Sequence, residues 1–67
     1  MREVLQQVEG LPKMLGGYDL VTTDAGEIYL VGWCSYDSYY RSKPAPTREE
    51  AIANMRIELA KQRVLGG

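Results

Sequence analysis

The segment from Glu27 to Cys34 constrains the fold more than any other part of the chain. It reads Glu-Ile-Tyr-Leu-Val-Gly-Trp-Cys, a composition typical of a β-strand. Its side chains form two apolar sets, Ile28, Leu30, Gly32 and Cys34 on one face and Tyr29, Val31 and Trp33 on the other. A strand with one face in water alternates apolar with polar residues, so this strand is expected to be covered on both faces.

The residues before this strand predict a helix and then a hairpin. Apolar residues at helical spacing predict a helix from Arg2 to Glu9, and Gly16-Gly17 are expected to end the helical region. A strand is predicted from Tyr18 to Thr23. The turn Asp24-Ala25-Gly26, with its glycine in the left-handed conformation, then leads into the strand that begins at Glu27.

The residues after Cys34 predict a turn, a short edge strand and a long helix. The strand is expected from Tyr39 to Lys43, where two prolines stop it. The helix is expected from Thr47 to Leu65, because Thr47 and Glu50 form a capping box. It carries two apolar stripes, the first formed by Ala51, Ile52, Met55 and Leu59 and the second by Ala53, Ile57, Ala60 and Val64.

These elements predict a single α+β domain over residues 1–67, in the order α-β-β-β-α. The three strands form an antiparallel meander, and the second helix stripe is expected to meet the first helix or another chain. If both helices cover one face of the sheet, the face of Tyr29, Val31 and Trp33 is left for a partner, which a second copy in a homodimer would satisfy. If the helices cover one face each, the domain is a three-layer sandwich.

The composition excludes several kinds of chemical site. The 67 residues include no histidine and one cysteine, Cys34. A single cysteine excludes a disulfide framework, and a structural zinc ion needs four histidine or cysteine ligands. A catalytic thiol needs a histidine or a cationic neighbour, so Cys34 is interpreted as a core residue. We therefore expect a protein that is not an enzyme, with no catalytic residue, no metal and no cofactor.

Charge and hydropathy also limit the partners. Eight basic and nine acidic residues give a net charge of −1, which argues against nucleic acid because phosphate contacts favour a basic excess. Residues 1–9 are polar and charged, so no signal peptide is expected. No stretch approaches the roughly 20 apolar residues of a membrane span. A lone cysteine suits a reducing compartment, and the expected location is the cytoplasm.

The stretch from Trp33 to Lys43 carries the strongest functional signal. It concentrates Tyr, Trp and Arg, the residue types that dominate binding hot spots. We predict a surface that binds a protein partner and is formed by Trp33, Tyr36, Tyr39, Tyr40 and Arg41. Two alternatives stay open. In one, Trp33 is a core residue and the tyrosines cap a small sheet; in the other, the aromatic side chains stack on single-stranded nucleic acid.

The layout of the whole chain resembles small accessory proteins of bacteriophages and prophages. The resemblance rests on the short amphipathic helix predicted for the first segment, the meander with a central tryptophan-bearing strand and the helix opening Pro46-Thr47-Arg48-Glu49-Glu50-Ala51. Phage sandwich domains and several anti-CRISPR proteins share this outline. The resemblance implies an inhibitor that blocks a surface of a bacterial defence complex in the host cytoplasm, and it transfers no functional residue.

The last five residues carry a separate resemblance. Arg63-Val64-Leu65-Gly66-Gly67 is similar to the tails of ubiquitin-like and sulfur-carrier proteins, whose terminal glycine is activated. In that family a β-strand leads into the tail, within a β-grasp domain. Here a helix is predicted to lead into it, and the first segment is predicted to be helical. The alternative is that the glycines cap the last helix.

Overall fold

The computed structural model describes residues 1–62, which form a four-stranded antiparallel sheet and one helix. Each strand pairs with the next along the chain, so the sheet order is the sequence order. The α+β class and the meander are confirmed, whereas the order α-β-β-β-α is wrong. The elements are β1 (Arg2–Leu5), β2 (Tyr18–Thr22), β3 (Ile28–Trp33), β4 (Tyr39–Arg41) and α1 (Arg48–Lys61).

The predicted first helix, Arg2 to Glu9, is replaced by β1 and a loop. β1 pairs with β2 in a register that places Arg2 opposite Val21. Gly10, which has a φ of 85°, and Pro12 confine any helix here to about two turns. Isolated helices shorter than about 12–15 residues are marginal in water, so pairing with β2 prevails over the helical spacing.

Gly16-Gly17 open β2 and do not end a helix. The Gly16 N–H donates to the Trp33 carbonyl at 2.9 Å, and the Trp33 N–H donates to the Gly17 carbonyl at 3.0 Å. Gly16 and Gly17 therefore both lie opposite Trp33, as the two residues of a β-bulge lie opposite one residue of the neighbouring strand. Gly17 has a φ of 75°, and a Cβ there would lie 2.9 Å from the Leu5 carbonyl oxygen. Close approach between β1 and the bulge thus explains why glycine stands here.

The turn between β2 and β3 confirms the hairpin prediction. Gly26 has a φ of 82°, and its N–H donates to the Thr23 carbonyl at 2.9 Å. The Thr23 N–H donates to the Glu27 carbonyl at 2.8 Å. Glycine adopts this left-handed conformation without the steric cost of a Cβ, so the local sequence suffices to place the turn.

The helix begins as its cap predicts. The Thr47 hydroxyl accepts from the Glu50 N–H at 3.2 Å, which satisfies one of the free donors of the first turn. α1 ends at Lys61, and the remaining predicted part, to Leu65, reaches past the described residues. The first stripe packs on β3 and β4, with Ala51, Met55 and Leu59 fully buried. In the second stripe Ala53, Ile57 and Ala60 are exposed, because the helix they were expected to meet does not form.

Helix and loop cover the same face of the sheet. Leu30 of β3 lies in one core cluster with Met55 and Leu59 of α1 and with Val8 and Met14 of the 6–17 loop. The Tyr18 hydroxyl donates to the Pro12 carbonyl, which attaches the loop to β2. The set of Ile28, Leu30, Gly32 and Cys34 faces this core, as the strand pattern predicts.

The glycine tail lies outside the described residues, so its carrier function stays a prediction. The first segment does not differ from the carrier family by being helical, because it forms β1. The helix predicted ahead of the tail is present as α1, whereas a β-strand stands there in the carrier family.

Candidate functional site

The sheet face opposite α1 carries a mixed set of apolar, aromatic and charged side chains, which we call the open face. The strand registers align Arg2 with Val21 and Tyr29, and Val4 with Asp19, Val31 and Arg41. Trp33 and Tyr39 form a third row. The members of the open face are therefore Arg2, Val4, Asp19, Val21, Tyr29, Val31, Trp33, Tyr39 and Arg41.

Part of the open face is covered by the chain's own side chains. The Arg41 guanidinium carbon lies 5.6 Å from the centre of the Tyr29 ring, in the geometry of a cation–π contact. Val31, which stands between Asp19 and Arg41 in the register, is only 9% exposed. The expectation that β3 is covered on both faces is therefore confirmed for the face under helix and loop, whereas on the open face Val31 is buried and Tyr29 and Trp33 are half-buried.

Trp33 is held at one end of this face by a buried carboxylate. Its indole N–H donates to Asp19 Oδ2 at 3.1 Å, and Asp19 is buried. Arg2 Nε lies 3.8 Å from the same oxygen. The negative charge of Asp19 is therefore used within the fold, since it orients the indole ring and pairs with Arg2.

Trp33 and Tyr39 are direct cross-strand partners, and their rings are in contact. The ring centres are 5.0 Å apart and the planes are tilted by 51°. Aromatic pairs of this kind add about 0.5–1.5 kcal/mol beyond the area that they bury. The pair is thus a preformed aromatic surface at the end of β3 and β4.

Two grooves that share lining residues lie next to β1, and Trp33 lines the first of them. The first has a volume of about 380 Å³, the second about 310 Å³, and both are lined by Val4 and Gly16. A Cβ at Gly16 would lie 2.7 Å from Trp33 Cβ, so glycine here permits the close approach of the loop to Trp33. The first groove is lined by Arg2, Val4, Gly16, Asp19, Trp33, Ser35 and Tyr36. The second is lined by Val4, Leu5, Gln6 and residues 13–17.

Exposed apolar side chains concentrate around the two grooves. Six large ones are exposed among residues 1–62; three of them line these grooves, and a fourth, Tyr39, packs against Trp33. Their exposures are 62% for Val4, 88% for Leu15, 94% for Tyr36 and 55% for Tyr39. A concentration of exposed apolar surface is typical of an interaction site. We call this surface the corner patch, formed by Val4, Leu15, Trp33, Tyr36 and Tyr39.

The structure groups three of the five residues that the sequence predicts as a partner surface. Trp33, Tyr36 and Tyr39 all belong to the corner patch. Arg41 lies on the open face but above Tyr29, away from the grooves. Tyr40 points to the other face, where it is half-buried against the core cluster, and with Tyr39 it lines a different groove at the 34–38 turn.

Sequence reasoning missed the part of the site that comes from the first 16 residues. The helix predicted from Arg2 to Glu9 includes Arg2 and Val4, which lie on β1 instead, and the helical region expected up to Gly16-Gly17 includes Leu15, which lies in the following loop. The available signal was the pair of helix breakers, Gly10 and Pro12, which leaves too short a segment for a stable helix. That signal argues against the helix but does not identify the strand that replaces it.

Two titratable side chains, Cys34 and Tyr18, lie on the core side of the sheet and have structural roles. Cys34 is half-buried and packs against the core cluster, as expected for a core residue. Burial raises the pKa of Tyr18 above the usual 10.0, and charge on Cys34 adds a smaller increase. Tyr18 therefore acts as a neutral hydrogen-bond donor to Pro12, and its role is to hold the loop.

Comparison with protein-family models, with curated proteins and with solved structures finds no match for this chain. Over residues 1–62, no cluster of three histidine, cysteine or acidic side chains is arranged to hold a metal ion. Within the same residues, α1 is too short and too polar to cross a membrane. The arrangement of the site itself must therefore support any functional conclusion.

Proposed function

We propose that the protein is a non-enzymatic module that binds another protein through the corner patch. The observation that carries the proposal concerns the six exposed large apolar side chains of residues 1–62: three of them line the two grooves at Trp33, and a fourth, Tyr39, packs against Trp33. Exposed apolar surface that is concentrated at one corner, and not scattered over the molecule, is typical of a site that contacts another macromolecule.

The fixed orientation of Trp33 supports this proposal. Trp33 is already oriented by Asp19 and by Tyr39, so little rotamer freedom remains for it to lose on binding. Tryptophan and tyrosine are also the residues most enriched in binding hot spots. Tyr36 extends from the adjacent turn and enlarges the apolar area beside the first groove.

A narrower form of the proposal is a phage-encoded inhibitor that blocks a surface of a bacterial defence complex. Its support is the part of the resemblance to small phage proteins that does not depend on a first helix, namely the meander with its central tryptophan and the helix opening at Thr47, together with a binding surface that needs no reactive side chain. In this form the protein acts in the host cytoplasm by steric occlusion.

The test is capture of the partner with matched surface variants. Tagged protein is incubated with bacterial lysate, and bound proteins are identified by mass spectrometry. Tyr39→Ala removes a corner-patch residue that is 55% exposed, whereas Ile57→Ala removes one on α1 that is 56% exposed. We expect Tyr39→Ala to weaken the partner by about 2 kcal/mol or more, about thirtyfold in Kd, and Ile57→Ala to leave it unchanged.

Other outcomes would replace the proposal. Equal capture by both variants removes the corner patch as the contact surface. Self-association in sedimentation experiments that Tyr39→Ala abolishes favours a homodimeric module. Salt-dependent binding of oligonucleotides favours a single-strand nucleic-acid binder. Loss of function on deletion of Gly66-Gly67 alone favours a carrier.

A further inference from the structure

β1 forms one edge of the sheet within residues 1–62, and its outward backbone groups can be assigned. The Thr22 N–H donates to the Met1 carbonyl at 2.8 Å, so these two residues form a hydrogen-bonded pair. In an antiparallel ladder such pairs alternate along the strand. Glu3 and Leu5 therefore bond to β2, whereas Arg2 and Val4 direct their N–H and C=O groups away from the sheet.

The two edges of the sheet differ in their protection against a further strand. β4 has only three residues, and Pro44 and Pro46 follow it closely. Short strands and prolines are common protections of an edge. β1 has four residues in an uninterrupted register, contains no proline, and carries the exposed Val4 between the outward backbone groups, although Arg2 and Glu3 are charged. Of the two edges, β1 is thus the one that can accept a strand.

The side chains beside this edge favour an acidic and apolar occupant. Val4 lines both grooves, with Arg2 in the first groove and Lys13 in the second. The acid of the first groove, Asp19, is buried and already bonded to Trp33. Asp19 also pairs with Arg2 at 3.8 Å, so the three charges that line the two grooves, those of Arg2, Lys13 and Asp19, leave one surplus positive charge, which complements an acidic side chain.

We infer that β1 binds an extended acidic segment of the partner protein as a fifth, antiparallel strand. The inference rests on the proposed function and names its mode of recognition. An apolar side chain of the segment lies opposite Val4, beside the grooves, and an acidic side chain two positions later lies opposite Arg2. Backbone hydrogen bonds supply affinity, and the alternate side chains supply specificity, as in other strand-addition complexes.

A second copy of the chain fits this edge less well. If β1 paired antiparallel with β1 of a second copy through Arg2 and Val4, the two residues whose backbone groups face outward, Arg2 of one copy would lie opposite Val4 of the other. The same register places Glu3 opposite its own counterpart. Like charges directly opposite each other destabilise a strand pair, so the charge pattern of β1 favours a different chain.

The test uses short acetylated, threonine-rich peptides in which a leucine precedes a glutamate by two positions. Trp33 is the single tryptophan of the chain and lines the first groove, so its fluorescence reports binding. We expect saturable binding that weakens by about threefold to tenfold when the peptide glutamate is replaced by glutamine or lysine. In Arg2→Gln the glutamate, glutamine and lysine peptides should bind about equally, since the preference for glutamate depends on its pairing with the Arg2 charge.

The backbone contribution is tested at Val4, whose N–H points outward. Val4→Pro removes that donor without removing a bond to β2, and Val4→Ala is the control that keeps it. We expect at least about tenfold weaker peptide binding for Val4→Pro than for Val4→Ala. If circular dichroism finds Val4→Pro unfolded, N-methylation of the peptide residue that faces Val4 removes the same bonds and should give the same loss.

Several results would overturn the inference. One is equal binding of glutamate and lysine peptides; another is binding that tolerates backbone N-methylation. A third is self-association that Val4→Pro abolishes, which would assign the edge to a second copy. If capture of the natural partner is weakened by Tyr39→Ala but not by Val4→Pro in β1, the strand addition is wrong and the proposed function remains. If capture depends on neither, both are wrong.

Discussion

The indole N–H of Trp33 on β3 donates to the carboxylate of Asp19 on β2 at 3.1 Å. The two residues are not direct partners, because Asp19 pairs with Val31, two residues before Trp33. They are diagonal neighbours, a spacing that only a long side chain bridges. This bond joins two residues that line the first groove, so the shape of the candidate site depends on it.

Asp19→Ala should therefore disturb both the stability of the protein and the orientation of Trp33. The indole N–H loses its acceptor, and we expect the free energy of unfolding to fall by about 1–3 kcal/mol. Denaturant titration measures this loss, and the indole N–H resonance reports the new surroundings of the ring. Asp19→Asn keeps an acceptor oxygen and should lose less. Equal losses in the two variants would assign the effect to the charge and not to the hydrogen bond.

Ser42→Ala tests a hydrogen bond of the sheet in which a side-chain hydroxyl, and not a backbone carbonyl, is the acceptor. The buried hydroxyl of Ser42 accepts from the Leu30 N–H at 2.8 Å. Without it, a buried backbone donor has no acceptor, and the free energy of unfolding should fall by about 1–3 kcal/mol. Chemical denaturation gives the value. Ser38→Ala, at an exposed turn position, is the control and should leave stability within about 0.5 kcal/mol.

Gly17→Ala should be more destabilising than Gly26→Ala, although both glycines have a positive φ. The φ angles are 75° and 82°, so the backbone cost of an added Cβ is similar, about 1–2 kcal/mol. A Cβ at Gly17 would also lie 2.9 Å from the Leu5 carbonyl oxygen, whereas one at Gly26 meets open space. The difference between the two variants in thermal or chemical unfolding measures the close approach of β1. No difference would mean that β1 moves away without cost.

The stability of the protein should fall in alkali because of Tyr18. Its pKa is raised above 10.0 in the folded state, chiefly by burial. Around and above pH 10 the unfolded chain therefore loses this proton more readily than the native protein, so the free energy of unfolding falls as pH rises. Tyr18→Phe should reduce this slope, as measured by denaturation at a series of pH values. An unchanged slope would show that other groups cause the alkaline transition.

Tyr18→Phe also removes the hydrogen bond to the Pro12 carbonyl. The variant should consequently start from a lower stability at neutral pH, by about 0.5–1.5 kcal/mol. The comparison between variants is made on the slope with pH and not on the absolute free energy.

The candidate site could be predicted from sequence only where its residues are neighbours along the chain. Trp33, Tyr36 and Tyr39 come from one strand, its turn and the next strand, so their grouping follows from a single hairpin. The position of Tyr40 on the opposite face also follows from the alternation of strand side chains. Val4 and Leu15 reach the same corner only because β1 pairs with β2 and the 6–17 loop returns to Trp33.

Local chemistry by itself determined the β3 strand, the glycine turn at Gly26 and the start of α1 at the Thr47 cap. Each depends on residues within a few positions of one another, so their physical causes are present in any short stretch of the chain. Tertiary structure alone decided that residues 2–5 form a strand, that Gly16-Gly17 form a bulge opposite Trp33 and that one sheet face stays open. Those outcomes depend on hydrogen bonds and burial between distant segments, which outweigh the weak helical preference of a short stretch.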